Sequence, residues 1–189
     1  MSGESVRRAR RARGAHGWAR RWLAVVSSVA LMAAAAVVAT AGPASAADLN
    51  ECVDQPGESC LTLGFTTGGD DLRGGNDNLD VTVTLFGQST TARNVNGSGS
   101  WGNNSFHQVR ISLKKRFGHQ VMANEITSVA LHTTFGGGIG GDNWNLNCLN
   151  VGHDWNDVFN SIHFTLLVAR CGNPLFRFTG DRKDFSVRP

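Results

Sequence analysis

Tyrosine is absent from this 189-residue chain, proline occurs four times, and charged residues make up only 17%. Several motifs are missing as well. There is no C-x-x-C pair or Cys/His cluster of the kind that holds structural zinc. There is no H-E-x-x-H, and no G-x-S-x-G on a strand-to-helix elbow. No glycine fingerprint precedes a helix, which removes the Rossmann and P-loop classes, and no repeat recurs at a solenoid period. With 23 glycines and little charge, the composition opposes a helical bundle or coiled coil. It favours short strands joined by tight turns.

A surplus of positive charge is also missing where it would matter. The formal net charge is +3, from 18 Lys+Arg against 15 Asp+Glu. Seven of those cations (Arg7, Arg8, Arg10, Arg11, Arg13, Arg20, Arg21) and one acid, Glu4, lie in the first 21 residues. Residues 47–189 therefore carry 11 basic and 14 acidic groups, a net charge of −3. Binding nucleic acid requires cations that displace counterions from phosphates, so that partner class is excluded.

Residues 1–46 read as a cleaved export signal. A basic stretch ends at Arg20-Arg21, an apolar run covers Leu23–Ala41, and Ala44-Ser45-Ala46 supplies an A-x-A cleavage pattern. Only eight of the 19 residues in that run are Leu, Val or Met and the rest are mainly alanine with Ser27, Ser28 and Thr40, too weakly hydrophobic for a lasting transmembrane anchor. The expected product is secreted and extracellular, by Sec or twin-arginine export. All four cysteines follow the cleavage pattern, and an even number in an exported chain predicts two disulfides. Of three pairings the local one is expected: Cys52 with Cys60, and Cys148 with Cys171. The first closes a loop in a short segment, 47–60, ahead of a single domain over 61–189.

That domain alternates with period two. Leu79, Val81, Val83 and Leu85 are separated by Asp80, Thr82 and Thr84, which makes a half-buried strand. Val109, Ile111 and Leu113 form a second row, Val129 to Phe135 a third, and Ile162 to Val168 a fourth. Shorter candidates are Leu61–Thr66, Ala92–Val95, Trp144–Val151 and Leu175–Thr179. Gly118–Glu125 is the one place for a helical turn. Connectors rich in Gly, Asn and Asp separate the rows. The pattern predicts an all-β fold, an antiparallel β-sandwich of seven to eight strands.

Two connectors concentrate oxygen donors. Thr67–Asn78 contains Asp70, Asp71, Asn76, Asp77 and Asn78, and the Gly136–Asn143 loop ends in Asp142 and Asn143. Carboxylates, amides and backbone carbonyls on flexible loops suit calcium, which takes six to eight oxygens in loose geometry. Those seven residues are the candidate calcium ligands. Turn formation alone is the competing reading of the same residues.

The segment Thr67-Gly68-Gly69, then Gly75-Asn76-Asp77-Asn78-Leu79 through Leu85-Phe86-Gly87, resembles the opening of PLAT/LH2 domains. Ile126–Phe135, the glycine-rich loop and Trp144-Asn145-Leu146-Asn147 are similar to that family's later strand, loop and Trp-x-Leu element. The resemblance covers about residues 61–151. It implies an eight-stranded sandwich that binds lipid surfaces or partner proteins, often with loop-bound calcium at one end. Asp77 matches the family's loop acid. Asn76 stands where the family has Thr, and its His-Asp pair before the Trp is missing.

Trp101 and Trp155 sit among polar residues and are the candidate ligand-contact aromatics, whereas Trp144 opens a strand and is expected in the core. The expected function is a secreted, non-catalytic binding module that contacts a lipid or membrane surface, or a protein, through its loop end. Two alternatives stand beside it. One is a carbohydrate-binding module using Trp101 and Trp155. The other is a small secreted hydrolase, which requires one of His107, His132 or His163 to face an acid in a pocket.

Overall fold

The structure is a computed structural model that describes residues 48–136 and 142–189. Residues 1–46, where an export signal is expected, and Gly137 to Gly141 of the second donor-rich loop lie outside the described residues. Among the described residues eight strands form two antiparallel four-stranded sheets. In chain order they are β1 (Ser59–Thr67), β2 (Leu79–Leu85), β3 (Gln88–Ala92), β4 (Phe106–Ser112), β5 (Ile126–Thr133), β6 (Trp144–Asn156), β7 (Ile162–Phe178) and β8 (Asp184–Val187). One sheet runs β4-β1-β6-β7 and the other β3-β2-β5-β8. The all-β sandwich is the architecture that the alternation and the PLAT/LH2 resemblance imply.

The period-two rows do what their pattern requires. Leu79, Val81, Val83 and Leu85 of β2 face inward, with Val129 and Leu131 of β5 beside them. Leu61, Leu63 and Phe65 of β1 meet Val109 and Ile111 of β4 and Leu149 and Val151 of β6 on the facing sheet. Both expected disulfides are formed. Cys52–Cys60 ties the N-terminal segment to the start of β1, and Cys148–Cys171 joins directly opposed residues of β6 and β7.

Several boundaries differ from expectation, each for a local reason. The strand placed at Ala92–Val95 lies earlier, as the second arm of a β2–β3 hairpin turning at Phe86-Gly87. The row through Leu113 ends at Ser112, whose hydroxyl caps a helix, α1 (Leu113–Phe117), by accepting from Lys115 N–H at 3.1 Å. That helix precedes the expected Gly118–Glu125 turn, which holds only a 3-10 turn at Ala123–Glu125. Ile162–Val168 and Leu175–Thr179 are parts of one strand, β7. Its pairing with β6 shifts register between Cys171 and Phe176, which accommodates Pro174 on a sheet edge, where a missing N–H costs no ladder bond. Strand β8 was not expected.

The register also defines two ends. At the loop end, β1 finishes and β2 and β6 begin, joined through the donor-rich loops. At the hairpin end, the β2–β3 and β6–β7 hairpins turn and α1 follows β4.

Candidate functional site

At the loop end the expected calcium ligands divide. Asp142 is buried, its Oδ2 accepts the Arg73 backbone N–H at 2.9 Å, and Arg73 Nε stands 3.2 Å from Oδ1. That approach lacks hydrogen-bond geometry, so Oδ1 has no donor among the described residues. Burial raises the Asp142 carboxyl above the usual carboxylate range. The Arg73 N–H and charge oppose the rise, while the charges of Asp77 and Asp71 add to it. Asp71, Asp77 and Asp142 therefore share one electrostatic neighbourhood.

Asp70 does not join them. It accepts from Arg177 Nη2 of β7 at 2.9 Å, with Asn145 Oδ1 taking the other guanidinium nitrogen at 3.3 Å. Asn78 is spent on the turn: its Nδ2 donates to Gly75 O (2.7 Å), and its Oδ1 accepts from Asn96 Nδ2 (3.2 Å). Asn76 is exposed and contributes its backbone carbonyl to Thr134 Oγ1 at 2.8 Å, and Asn143 is half-buried. Among the described residues no three of His, Cys, Asp and Glu stand close enough to hold a metal ion. The donor set fits calcium only in part, because Arg73 supplies positive charge next to Asp142 where the cation's charge would be needed.

The two contact tryptophans differ, and Trp101 requires correction. Trp101 is 1% exposed. Its backbone pairs with Leu72 across the two loops, and its ring packs on Phe65 and Trp144 at 5.1 and 5.7 Å between centroids. The polar neighbours in sequence gave no sign of this burial, because its apolar partners come from Leu72, β1 and β6. Trp155 is half-buried, stacked on His163 at 4.3 Å. It pairs with Ser59, at the opposite end from Trp101, so the two rings form no shared platform. Trp144 is in the core, as expected.

All three histidines named for a hydrolase face acids: His107 Nδ1 with Asp48 (3.0 Å), His132 Nδ1 with Asp184 (2.7 Å) and His163 Nε2 with Asp157 (3.2 Å). Ser105 Oγ lies 2.9 Å from His107 Nε2, so Ser105, His107 and Asp48 line up in the order of an acyl-transfer triad. Their protons argue for another role. The Ser105 and Thr67 hydroxyls both reach the Gly102 carbonyl at 2.5 Å, which commits Ser105 as a donor away from the imidazole. Asp48 Oδ1 accepts from Trp101 Nε1 at 2.6 Å, and the Trp101 ring stacks on His107. The network pins a buried tryptophan; it does not free a nucleophile.

Exposed apolar surface gathers at the other end, on side chains that sequence reasoning did not single out. Val158 and Phe159 at the β6–β7 turn are 79% and 87% exposed, and Phe86 at the β2–β3 turn is 72% exposed. The β6–β7 tip is held in shape. Asp157 Oδ1 accepts the N–H groups of Phe159 (2.8 Å) and Ser161 (2.9 Å), and Asp157 N–H donates to Ser161 O at 3.1 Å. These bonds hold the Asp157 carboxyl below the usual range: first the Ser161 N–H, then His163. An available signal was the turn residue Asp157 followed directly by Val158-Phe159, two apolar residues at a position that turn chemistry leaves to polar ones.

A scan against protein-family models finds no match, and no curated protein matches the chain. Among solved structures the chain is similar to a lipoxygenase variant carrying a deletion and a point substitution, at 15% identity and a TM-score of 0.45. It is also similar to the deletion variant in complex with arachidonate, at 15% identity and a TM-score of 0.40. Each match covers 69% of this chain, which spans 16% of the length of those proteins.

Proposed function

We propose that this protein is an exported, non-catalytic module that docks on lipid surfaces through the hairpin end of its sandwich. The supporting observation is the rigid Val158–Phe159 tip, two large apolar side chains held in solvent by a carboxylate-capped turn. Exposing such side chains is unfavourable in water, and burying each in an acyl layer is worth about 1.5–3 kcal/mol. Phe86 adds a second contact at the same end. Export is supported by the leader pattern and by two disulfides without free cysteine among the described residues. Among these residues no helix is long and apolar enough to cross a membrane. Docking is tested by co-sedimentation with phosphatidylcholine vesicles. The wild-type chain is expected in the pellet and Phe159→Asp in the supernatant, and equal partition of the two overturns the reading.

Calcium at the loop end is a second, separable reading. It is supported by the unpartnered buried Oδ1 of Asp142 and by the nearby charges of Asp71 and Asp77. A cation there would be held by Asp142 with loop carbonyls, the charges of Asp71 and Asp77 acting from farther off. Its chemistry would be charge neutralisation that ties the loops together.

A further inference from the structure

The outer face of the β4-β1-β6-β7 sheet carries a groove of about 380 Å³ that the lipid reading does not use. Its walls are Phe106 on one edge strand and Phe164 with Leu166 on the other. Between them, on the central strands, lie Gly64 and Gly152. The glycines set the shape. A Cβ at Gly152 would overlap Cε2 and Cζ of Phe164, and one at Gly64 would stand 3.1 Å from Phe106 Cε2. Each ring therefore leans over a glycine on the neighbouring strand, yet both rings remain 61% exposed. Polar groups complete the lining: Thr62, Gln108 and Asn150.

Charge and depth select the occupant. The nearby ion pair closes on itself, with Arg110 Nη2 2.7 Å from Asp154 Oδ2 and Thr62 Oγ1 donating to Asp154 Oδ1 at 2.6 Å. The groove so presents no unpaired charge, which disfavours a phosphate or polyanionic partner. It is open to solvent and sets Thr62, Gln108 and Asn150 among its apolar lining, unlike the enclosed cavity that covers most of an acyl chain. Exposed aromatic faces that accept C–H groups, set beside neutral amides that both donate and accept hydrogen bonds, match an uncharged polyhydroxylated ligand. We propose that this groove binds a neutral oligosaccharide, its pyranose rings stacked on Phe106 and Phe164 and its hydroxyls bonded to Gln108 and Asn150. The inference is independent of the lipid reading, which rests on other residues.

The test follows the side-chain amide resonances of Gln108 and Asn150 while the full-length chain is titrated with cellohexaose, xylohexaose, chitohexaose and, as the charged control, hexagalacturonate. Saturable shifts of both amides with at least one neutral hexasaccharide are expected. Affinity is expected to weaken about tenfold in Phe164→Ala, the size of one lost aromatic contact, and in Gln108→Ala, while Phe159→Asp leaves it unchanged. Four outcomes overturn the proposal. These are no shift with any neutral hexasaccharide, shifts with hexagalacturonate alone, equal affinity in Phe164→Ala, or displacement of the bound sugar by dodecanoate, which would mark an acyl site. The Phe159→Asp arm separates this failure from failure of the lipid reading.

Discussion

At the loop end Trp101, Trp144, Phe65 and Phe178 are sealed beneath connectors whose carboxylates meet arginines, so Asp70 faces Arg177 and Asp142 faces Arg73. At the hairpin end Phe159, Val158 and Phe86 stand in solvent on tight turns. The loop-end aromatics contribute to folding, because each is surrounded by apolar atoms that water would otherwise contact. The hairpin-end residues contribute almost nothing to folding and are available to something outside the molecule. The same residue class thus has two roles, decided by which segments the topology brings over it.

The sharpest way to break this contrast is to truncate one aromatic at each end and compare. Trp101→Ala removes a ring from contact with Phe65, Trp144 and His107 and leaves Asp48 Oδ1 without its indole donor. A loss of about 3–5 kcal/mol in urea unfolding is expected. Phe159→Ala is expected to stay within about 0.5 kcal/mol of wild type. Comparable losses at the two positions would mean that the hairpin tip is part of a packed core and that the ends do not differ.

Lipid docking gives the second comparison. Val158→Asp combined with Phe159→Asp is expected to lower vesicle partitioning by at least about tenfold, since each side chain forfeits its transfer energy and gains a charge to desolvate. Asp71→Asn, at the loop end, is expected to leave partitioning in calcium-free buffer unchanged. The opposite ranking would move the lipid contact to the loop end, where the PLAT/LH2 resemblance put it.

How much of this was legible in the chain depended on distance in sequence. The strand rows through Val81, Val129 and Leu149, and both disulfides, follow from alternation and local pairing, which the neighbouring residues already encode. The burial of Trp101 did not, because its lid is Leu72 and its hydrogen-bond acceptor is Asp48, 53 residues away. Asp70 read as a calcium ligand for the same reason: its partner, Arg177, is 107 residues downstream on β7. The helix after Ser112 was within reach. A serine cap, a basic turn and a closing Gly118 were present, but alternation through Leu113 masked them. Exposure of Val158 and Phe159 follows from the turn that Asp157 caps, and an apolar pair beside a strand is more readily taken for its continuation.

Acid should weaken the hairpin end before the loop end. His153 of β6 is buried, with Nε2–H donating to Val121 O at 2.9 Å and Nδ1 unpartnered among the described residues. Burial lowers its pKa, opposed by the Val121 carbonyl and by the charges of Asp154 and Glu125. A histidine depressed in the fold binds its proton more readily when unfolded. Its contribution is therefore present above the unfolded value of about 6.5 and is lost as pH falls from there towards the folded value. The loss is at most about 1.4 kcal/mol per pH unit within that window. His153→Gln, which keeps a donor for Val121, should flatten the difference between Tm at pH 7 and pH 5. An unaltered pH dependence in the variant would place the acid sensitivity elsewhere.

The smallest expected effect belongs to Asp142, and it carries the opposite sign. Its pKa is raised, chiefly by burial, so the folded protein holds that proton more readily than the unfolded chain. The associated stability is present below the unfolded value of about 3.9 and is lost as pH rises through the folded value. Above that folded value the ionised carboxylate is a cost that the exposed Arg73 side chain offsets only in part. Asp142→Asn retains an oxygen for the Arg73 N–H at 2.9 Å and removes the charge. It should unfold at slightly higher urea than wild type at pH 7, by no more than about 1 kcal/mol, with the advantage gone below about pH 4. Calcium inverts the comparison. If Asp142 and loop carbonyls hold the cation, saturating calcium raises the wild-type Tm and leaves the Asn variant unmoved, because binding to the folded state alone stabilises it by mass action. A wild-type Tm that ignores both calcium and chelator would leave these carboxylates as turn residues balanced by Arg73 and Arg177, and the loop end as purely structural.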